Sequence, residues 1–388
     1  MDYDLIIAGG GLAGAALAKN MADYGSSVLV LEREKAFRDR IRGEAMHPWG
    51  VTEAKTLGIY DALLASGAHM VQYWKTYFGG ELVFDRDLVA TNPHGFGEFH
   101  FYHPDMQETL LELARSAGAE VHRNARVGAL DRTNNQVEWT QSGDAFQARG
   151  RLIVGADGSR SMVRRRAGFE LSEDPDRLMI AGVMMENTSI PADSVHHCQG
   201  IDGMALFFPQ GNSRCRAYIG YSIETGERAL NGEGNKSDFR SLCLQYGVPD
   251  AWFEGATLTG PLAQFHGADH WVDHPAADGV VLIGDAAAKP DPIWGSGLSL
   301  TLVDVRTLRD ELCASSDWNA AIHRYAAEHD RYYKALHAVE AWFTDLAWDR
   351  GPEADARRMQ VFPTLEQPGA PDILGLGPES PVDWAVPD

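Results

Sequence analysis

The stretch Tyr3-Asp4-Leu5-Ile6-Ile7-Ala8-Gly9-Gly10-Gly11-Leu12-Ala13-Gly14 decides how this chain folds. An apolar run that stops at glycines reads as a buried strand. The Ala- and Leu-rich segment at 12–24 then reads as a helix, with Gly25 as its C-terminal stop. Ser27-Val28-Leu29-Val30-Leu31 reads as a second buried strand. Strand, helix and strand within about thirty residues make the parallel crossover unit.

The glycines satisfy G-x-G-x-x-G in the context that gives the pattern meaning. Gly9 permits the tight turn, Gly11 lets the backbone approach a pyrophosphate, and Gly14, with Ala15 and Ala18, lets the helix lie close to the sheet. The helix N-terminus offers N–H groups and a partial positive charge to the diphosphate. Glu32 ends the second strand, where a carboxylate accepts from ribose hydroxyls and disfavours a 2′-phosphate. Arg33 follows where a cation can approach the AMP phosphate. This site therefore suits FAD or NAD rather than NADP.

Working outward, 52–64 reads as helix, 73–84 as β-like, and 105–117 as an amphipathic helix closed by Gly118. Segments 127–130, 136–140 and 146–148 read as a small antiparallel meander. Leu152-Ile153-Val154 is a buried strand leading into Gly155-Ala156-Asp157-Gly158. From 171 to 270 the strands are Met- and aromatic-rich (Met184, Met204, Phe207), as in an inserted antiparallel domain with an apolar pocket or core. Val280 to Ile283 returns to the buried-strand pattern, followed by helices at 296–313 and 319–348. The tail after Gly351 is dense in Pro and Gly and reads as irregular.

With 388 residues, 44% of them apolar, the chain can bury one large core or two domains that share an interface. A net charge of −21 repels phosphate backbones and anionic lipids, which disfavours nucleic-acid or membrane partners. Four cysteines without metal spacing argue against a disulfide framework. No metal site is expected, and His196-His197-Cys198 reads as exposed strand or loop, its successive side chains pointing to opposite faces. No basic leader precedes Leu5 and no apolar run approaches the ~20 residues that span a bilayer, so a cytoplasmic protein is expected.

Two further motifs carry a resemblance. Asp157-Gly158-Ser159-Arg160-Ser161-Met162-Val163-Arg164 resembles a D-G-x-x-S-x-V-R stretch, and Gly284-Asp285-Ala286-Ala287 with Pro292, Gly295 and Gly297 resembles G-D-A-A-H…P-x-x-G-x-G. With the first fingerprint they resemble the group A flavin-dependent monooxygenases typified by para-hydroxybenzoate hydroxylase. The resemblance spans roughly the first 315 residues. It implies FAD held by Gly9, Gly11, Leu12, Ala13, Gly14, Glu32, Arg33, Arg42, Gln107, Val127, Asp157, Asp285, Pro292, Gly295, Gly297 and Leu298. Asp285 would meet the ribityl hydroxyls, and the helix opened by Gly295 and Gly297 would face the isoalloxazine ring. Ala288 stands where the family often has His, and the Trp-x-Trp-x-Ile-Pro signature of flavin-dependent halogenases is absent.

The expected fold is α/β. A Rossmann-like, doubly wound FAD-binding domain takes 1–70, 100–170 and 271–316, and an inserted, mainly antiparallel substrate-binding domain takes 71–99 and 171–270. A C-terminal helix (317–350) and an irregular tail (351–388) follow. The expected activity is monooxygenation of a small apolar or aromatic compound by O2 through a flavin hydroperoxide. NAD(P)H, or a partner reductase, would supply electrons. The substrate pocket is expected at Trp49, Pro292, Ile293 and Trp294, with His47 as an acid/base or, more often in such settings, a structural residue. An FAD-dependent dehydrogenase or reductase, and an FAD-retaining non-redox cyclase, are the alternatives.

Overall fold

The structure is a computed structural model that describes residues 2–41, 43–226, 228, 230–365, 367 and 369–381. Its central sheet runs Ala276–Ala277, Val280–Leu282, Asp144–Gly155, Tyr3–Ala8, Val28–Glu32, Glu120–Arg123. All neighbours are parallel except the first pair. Side chains alternate across this sheet. Leu5, Ile7, Val28 and Val30 pack with the helices Leu12–Asp23, His103–Ser116 and Gly297–Ala314. Ile6, Ala8, Leu29 and Leu31 pack with Val137, Trp139 and Val163 on the opposite face. Burial on both faces explains why these strands are continuously apolar rather than alternating.

The long strand Asp144–Gly155 belongs to both layers. Its first half pairs antiparallel with Gln136–Gln141, and its second half runs parallel to Tyr3–Ala8. It delivers the Ala156–Gly158 turn beside the fingerprint. Gly9 has φ +103°, and a Cβ there would overlap the carbonyl of Ala156. A Cβ at Gly14 would overlap the carbonyl oxygen of Gly9. The two glycines thus allow turn, helix and neighbouring strand to touch.

A second sheet has seven strands, ordered Thr257–Gly267, Leu178–Glu186, Arg214–Ser222, Gly203–Pro209, Ser194–Gln199, Tyr73–Phe78, Glu81–Asp87. It is antiparallel except where Ser194–Gln199 meets Tyr73–Phe78. One face packs on the helix Lys236–Gln245 through Ala205, Phe207, Ala217 and Ile219 against Phe239 and Cys243. The other face presents Ile180, Met204, Leu206, Phe208 and Tyr218 toward Ile293 and Trp294.

Three local readings are corrected. Two helices, Pro48–Thr56 and Tyr60–Ala65, replace one at 52–64, because Gly58 turns the chain at φ +65°. The tail contains a helix, Pro352–Val361, started by Pro352 with Glu353 and Asp355 in its first turn and docked through buried Ala354 and Val361. His196 and Cys198 are buried in Ser194–Gln199 rather than exposed, because both faces of the sheet are covered.

Gly14→Ala should lower unfolding free energy by roughly 1–3 kcal/mol in urea melts, through overpacking. Gly25 has φ +97°, but a methyl group at this position would meet no atom within 4 Å, so Gly25→Ala should show only the backbone cost of about 1–2 kcal/mol. Equal tolerance of Ala at Gly14 and at exposed loop positions would contradict the packing argument.

Candidate cofactor and substrate site

The three glycine-bearing turns meet around one cavity of about 310 Å³. Gly11, Leu12 and Ala13 line it from the fingerprint, Ala156 and Gly158 from the second motif, and Asp285, Pro292, Gly295, Gly297 and Leu298 from the third. Gln107 joins them from the helix His103–Ser116, 3.3 Å from where a Cβ on Gly11 would stand. The helices Leu12–Asp23 and Gly297–Ala314 both start at this cavity. Neither has a capping side chain or an acid in its first turn. Two positive helix ends are therefore left for an anionic ligand to complement. This arrangement fits a dinucleotide carrying a pyrophosphate and a ring that becomes negative on reduction. Glu32 lies buried at the strand end, where its carboxylate accepts from the N–H groups of Gly10 and Glu34, both at 2.7 Å.

The second motif works mainly as a brace. The Asp157 carboxylate accepts from the N–H groups of Met162 and Val163 and from the Ser161 hydroxyl, which caps the helix Met162–Ala167. Buried Arg164 donates to the carbonyls of Ser159 (2.6 Å) and Ala286 (3.1 Å). It thereby ties the second glycine turn to the third. Asp304, from the helix Gly297–Ala314, accepts the Gly284 N–H at 2.7 Å and fixes the same turn from behind.

The cavity continues toward the second sheet, where Trp74, Ile180, Leu206, Phe208, Phe265, Ile293 and Trp294 form an apolar wall. Period-two alternation selects Leu206 and Phe208 for this wall and turns Phe207 into the core, the second of the two places expected for it. Glu44 and Tyr218 are polar members of the lining, and the Tyr218 hydroxyl donates to the Glu44 carboxylate. Behind them, fully buried Arg216 grips Asp39 at 2.7 and 2.8 Å and lies 3.1 Å from Glu44. Burial raises the Glu44 pKa, and Arg216 only partly opposes that effect. His103 and Thr301 also line the cavity. None of Glu44, Tyr218, His103 or Thr301 stood out in the sequence, although the strand alternation around Tyr218 contained a usable signal.

His47 reaches the cavity but is fully engaged. Its Nδ1 donates to Glu98 Oε1 at 2.6 Å, and its Nε2 donates to the Trp294 carbonyl at 2.9 Å. Both ring nitrogens face acceptors, so the ring holds two protons. An acid/base role does not fit this geometry. Instead His47 clamps the Pro292–Trp294 turn. Burial alone would lower its pKa, but the contacting Glu98 carboxylate outweighs burial and raises it above 6.5. Glu98 is also buried, yet His47 and His100 hold its pKa down at about 2.

The remaining expected contacts lie elsewhere. Trp49 is no pocket wall. Its indole donates to the Ile373 carbonyl at 3.0 Å and packs beneath the C-terminal tail with Leu300, Tyr332 and Leu336. Val127 packs with Leu29, Leu31 and Trp139 and does not line the cavity. Arg33 is exposed, 3.5 Å from Glu34. Arg42 lies outside the described residues.

Fold and site define an FAD-dependent oxidoreductase. The chain belongs to the family described as FAD binding domain, whose sequence model matches residues 2–337. Rifampicin monooxygenase of Streptomyces venezuelae is 27% identical over 376 residues, covering 94% of this chain and 76% of that protein. Digeranylgeranylglycerophospholipid reductase 1 of Methanococcoides burtonii is 26% identical over 321 residues, covering 76% of this chain and 71% of that protein. Among solved structures, p-nitrophenol 4-monooxygenase PnpA of Pseudomonas putida superposes with a TM-score of 0.80 over 94% of each chain, at 18% identity. That likeness is one of fold.

The His47–Glu98 pair has a defined pH window. A raised His47 pKa contributes stability fully below pH 6.5, and this is lost as pH rises through the folded value. A depressed Glu98 pKa contributes above pH 4.5, and this is lost as pH falls toward about 2. His47→Gln should therefore cost about 3 kcal/mol near pH 5.5. The gap to wild type should narrow at alkaline pH in urea melts. A gap that widens with pH would show that His47 is neutral in the folded protein.

Proposed function

We propose that this protein is a monooxygenase that uses FAD and O2 to insert one oxygen atom into a small apolar or aromatic compound. The observation that carries the reading is the single cavity, which runs from three glycine-bearing turns to a wall of aromatic and aliphatic side chains. Bound FAD would supply the electron pair and the activation of O2. The N–H groups at Gly11–Ala13 would hold the pyrophosphate, Glu32 the adenosine ribose, and Asp285 with Gln107 the ribityl chain. Gly297 and Leu298 would bring a positive helix end to the ring, where it opposes negative charge on reduction.

On the substrate side, Phe208, Phe265 and Trp294 would hold the compound against the ring plane and exclude water. Glu44 and Tyr218 would meet its polar substituent. NAD(P)H is the reductant in this reading, with a separate reductase as the other source of electrons. The resemblance to rifampicin monooxygenase supports oxygen insertion. The comparable resemblance to a digeranylgeranylglycerophospholipid reductase supports a second reading, in which the same cavity serves reduction of an unsaturated compound.

Isotope incorporation separates the two. Holoenzyme reduced without air and then exposed to labelled O2 with a panel of aromatic compounds should yield a product heavier by one labelled oxygen atom. Saturation of a double bond without label would replace the monooxygenase reading by the reductase one. In the site itself, Gly11→Val and Asp285→Ala should each purify largely without flavin absorbance while keeping a folded circular-dichroism spectrum. Full flavin occupancy in both would remove these residues from the cofactor site.

A further inference from the structure

Behind the Pro292–Trp294 turn, outside the cavity, a second group of polar side chains converges. Asp174, Asp269 and His337 each offer a ligand atom, and these atoms all lie within 4.8 Å of one another. Ligands about 2.0–2.2 Å from one tetrahedral divalent ion stand about 3.4 Å apart, so the three atoms must close by up to about 1.4 Å. The positions are set by secondary structure. Ser172–Glu173 pairs antiparallel with His270–Trp271, and the Asp174 N–H donates to the Asp269 carbonyl at 3.0 Å. The two carboxylates therefore flank one short ladder. His337 comes from the long helix Trp318–Trp348, and its Nε2 lies 2.7 Å from Asp174 Oδ2. Its ring stacks on Tyr333, with planes 6° apart, and Tyr333 donates to Asp269 Oδ1 at 3.1 Å. Ring and carboxylate are both oriented in advance, as metal ligands usually are.

A further buried carboxyl group stands beside this cluster. Glu340 lies one turn beyond His337 on the same helix face. It is 1% exposed, and the polar side chain that reaches its carboxyl group is Ser296. The charged groups that act on it are Asp269 and Asp291. Four carboxyl groups, Asp174, Asp269, Asp291 and Glu340, thus gather where His337 and Lys289 are the cations acting on them. Burial raises the pKa of Asp269, Asp291 and Glu340, so these carboxyl groups lean toward their neutral forms until a positive ion joins them. Asp174 and His337 retain partial exposure, which leaves a route for an ion.

We propose that Asp174, Asp269 and His337 bind a divalent transition-metal ion, with Glu340 as a nearby compensating carboxylate. Two carboxylates and one imidazole suit Mn2+ or Zn2+ rather than Cu(I) or Ca2+. Asp269 also accepts the Asp291 N–H at 3.2 Å, and Asp291 caps the Pro292–Trp294 turn. The ion therefore braces the long C-terminal helix against a turn that lines the cavity. The inference does not depend on the oxygenation reading.

The test uses untagged, flavin-loaded protein freed of metal by dialysis against chelator. Titration with MnCl2, with free Mn2+ counted by electron paramagnetic resonance, should show one saturable ion per chain. The thermal unfolding midpoint should rise by a few degrees, as for any ligand that binds only the folded state. ZnCl2 should displace the bound Mn2+. Asp174→Asn and His337→Gln should abolish binding and the midpoint shift, whereas the surface control Asp144→Asn should keep both. No saturable binding by wild type at millimolar metal overturns the proposal, leaving an ordinary Asp–His ion pair. Undiminished binding in both variants also overturns it. If the variants fail to fold, the wild-type titration decides alone.

Discussion

Two long helices begin at one cavity with no side chain to satisfy their first N–H groups. Unpaired amide donors at a helix start carry a partial positive charge, and in a partly dry cavity that charge calls for an anionic partner. The rest of the structure brings these two ends together and keeps them bare. Gly9 and Gly14 allow the first helix to start against the sheet. The Gly284–Ala286 turn and the Pro292–Trp294 turn set the start of the second.

Two bare helix ends at one cavity need rigid support, and buried polar ties supply it. Arg164 joins two of the glycine turns through their carbonyls. Asp304 holds the Gly284 amide. On the apolar side of the cavity, His47 links Glu98 to the Trp294 carbonyl, and His100 extends that link to Pro209 of the second sheet. The Arg164–Ala286, His47–Glu98, His47–Trp294 and His100–Pro209 bonds span segments far apart in sequence. The cavity is therefore a product of the whole fold rather than of any one motif.

Much of this was legible in the chain. The fingerprint could be read because turn sterics demand glycine at Gly9 and Gly14, and the buried strands because a two-faced parallel sheet imposes continuous apolar runs. Asp285, Gln107, Ile293 and Trp294 were found through motif spacing, and all line the cavity. What escaped was whatever depends on pairing between distant segments. Trp49 reads as a pocket residue by its proximity to His47, yet a helix start rotates it toward the tail. Phe207 and Phe208 differ only in which face of a strand they take, and register decides that. The Asp174, Asp269 and His337 cluster has no sequence spacing at all, since a short ladder and a remote helix create it.

The central claim is that the cavity is an FAD site. Its most direct test is calorimetric titration of the deflavinated protein with FAD, with NAD as comparison. The account predicts one FAD per chain, bound far more tightly than NAD, with a yellow complex that survives gel filtration. A protein that takes up NAD in preference, or binds neither dinucleotide while remaining folded, would contradict it.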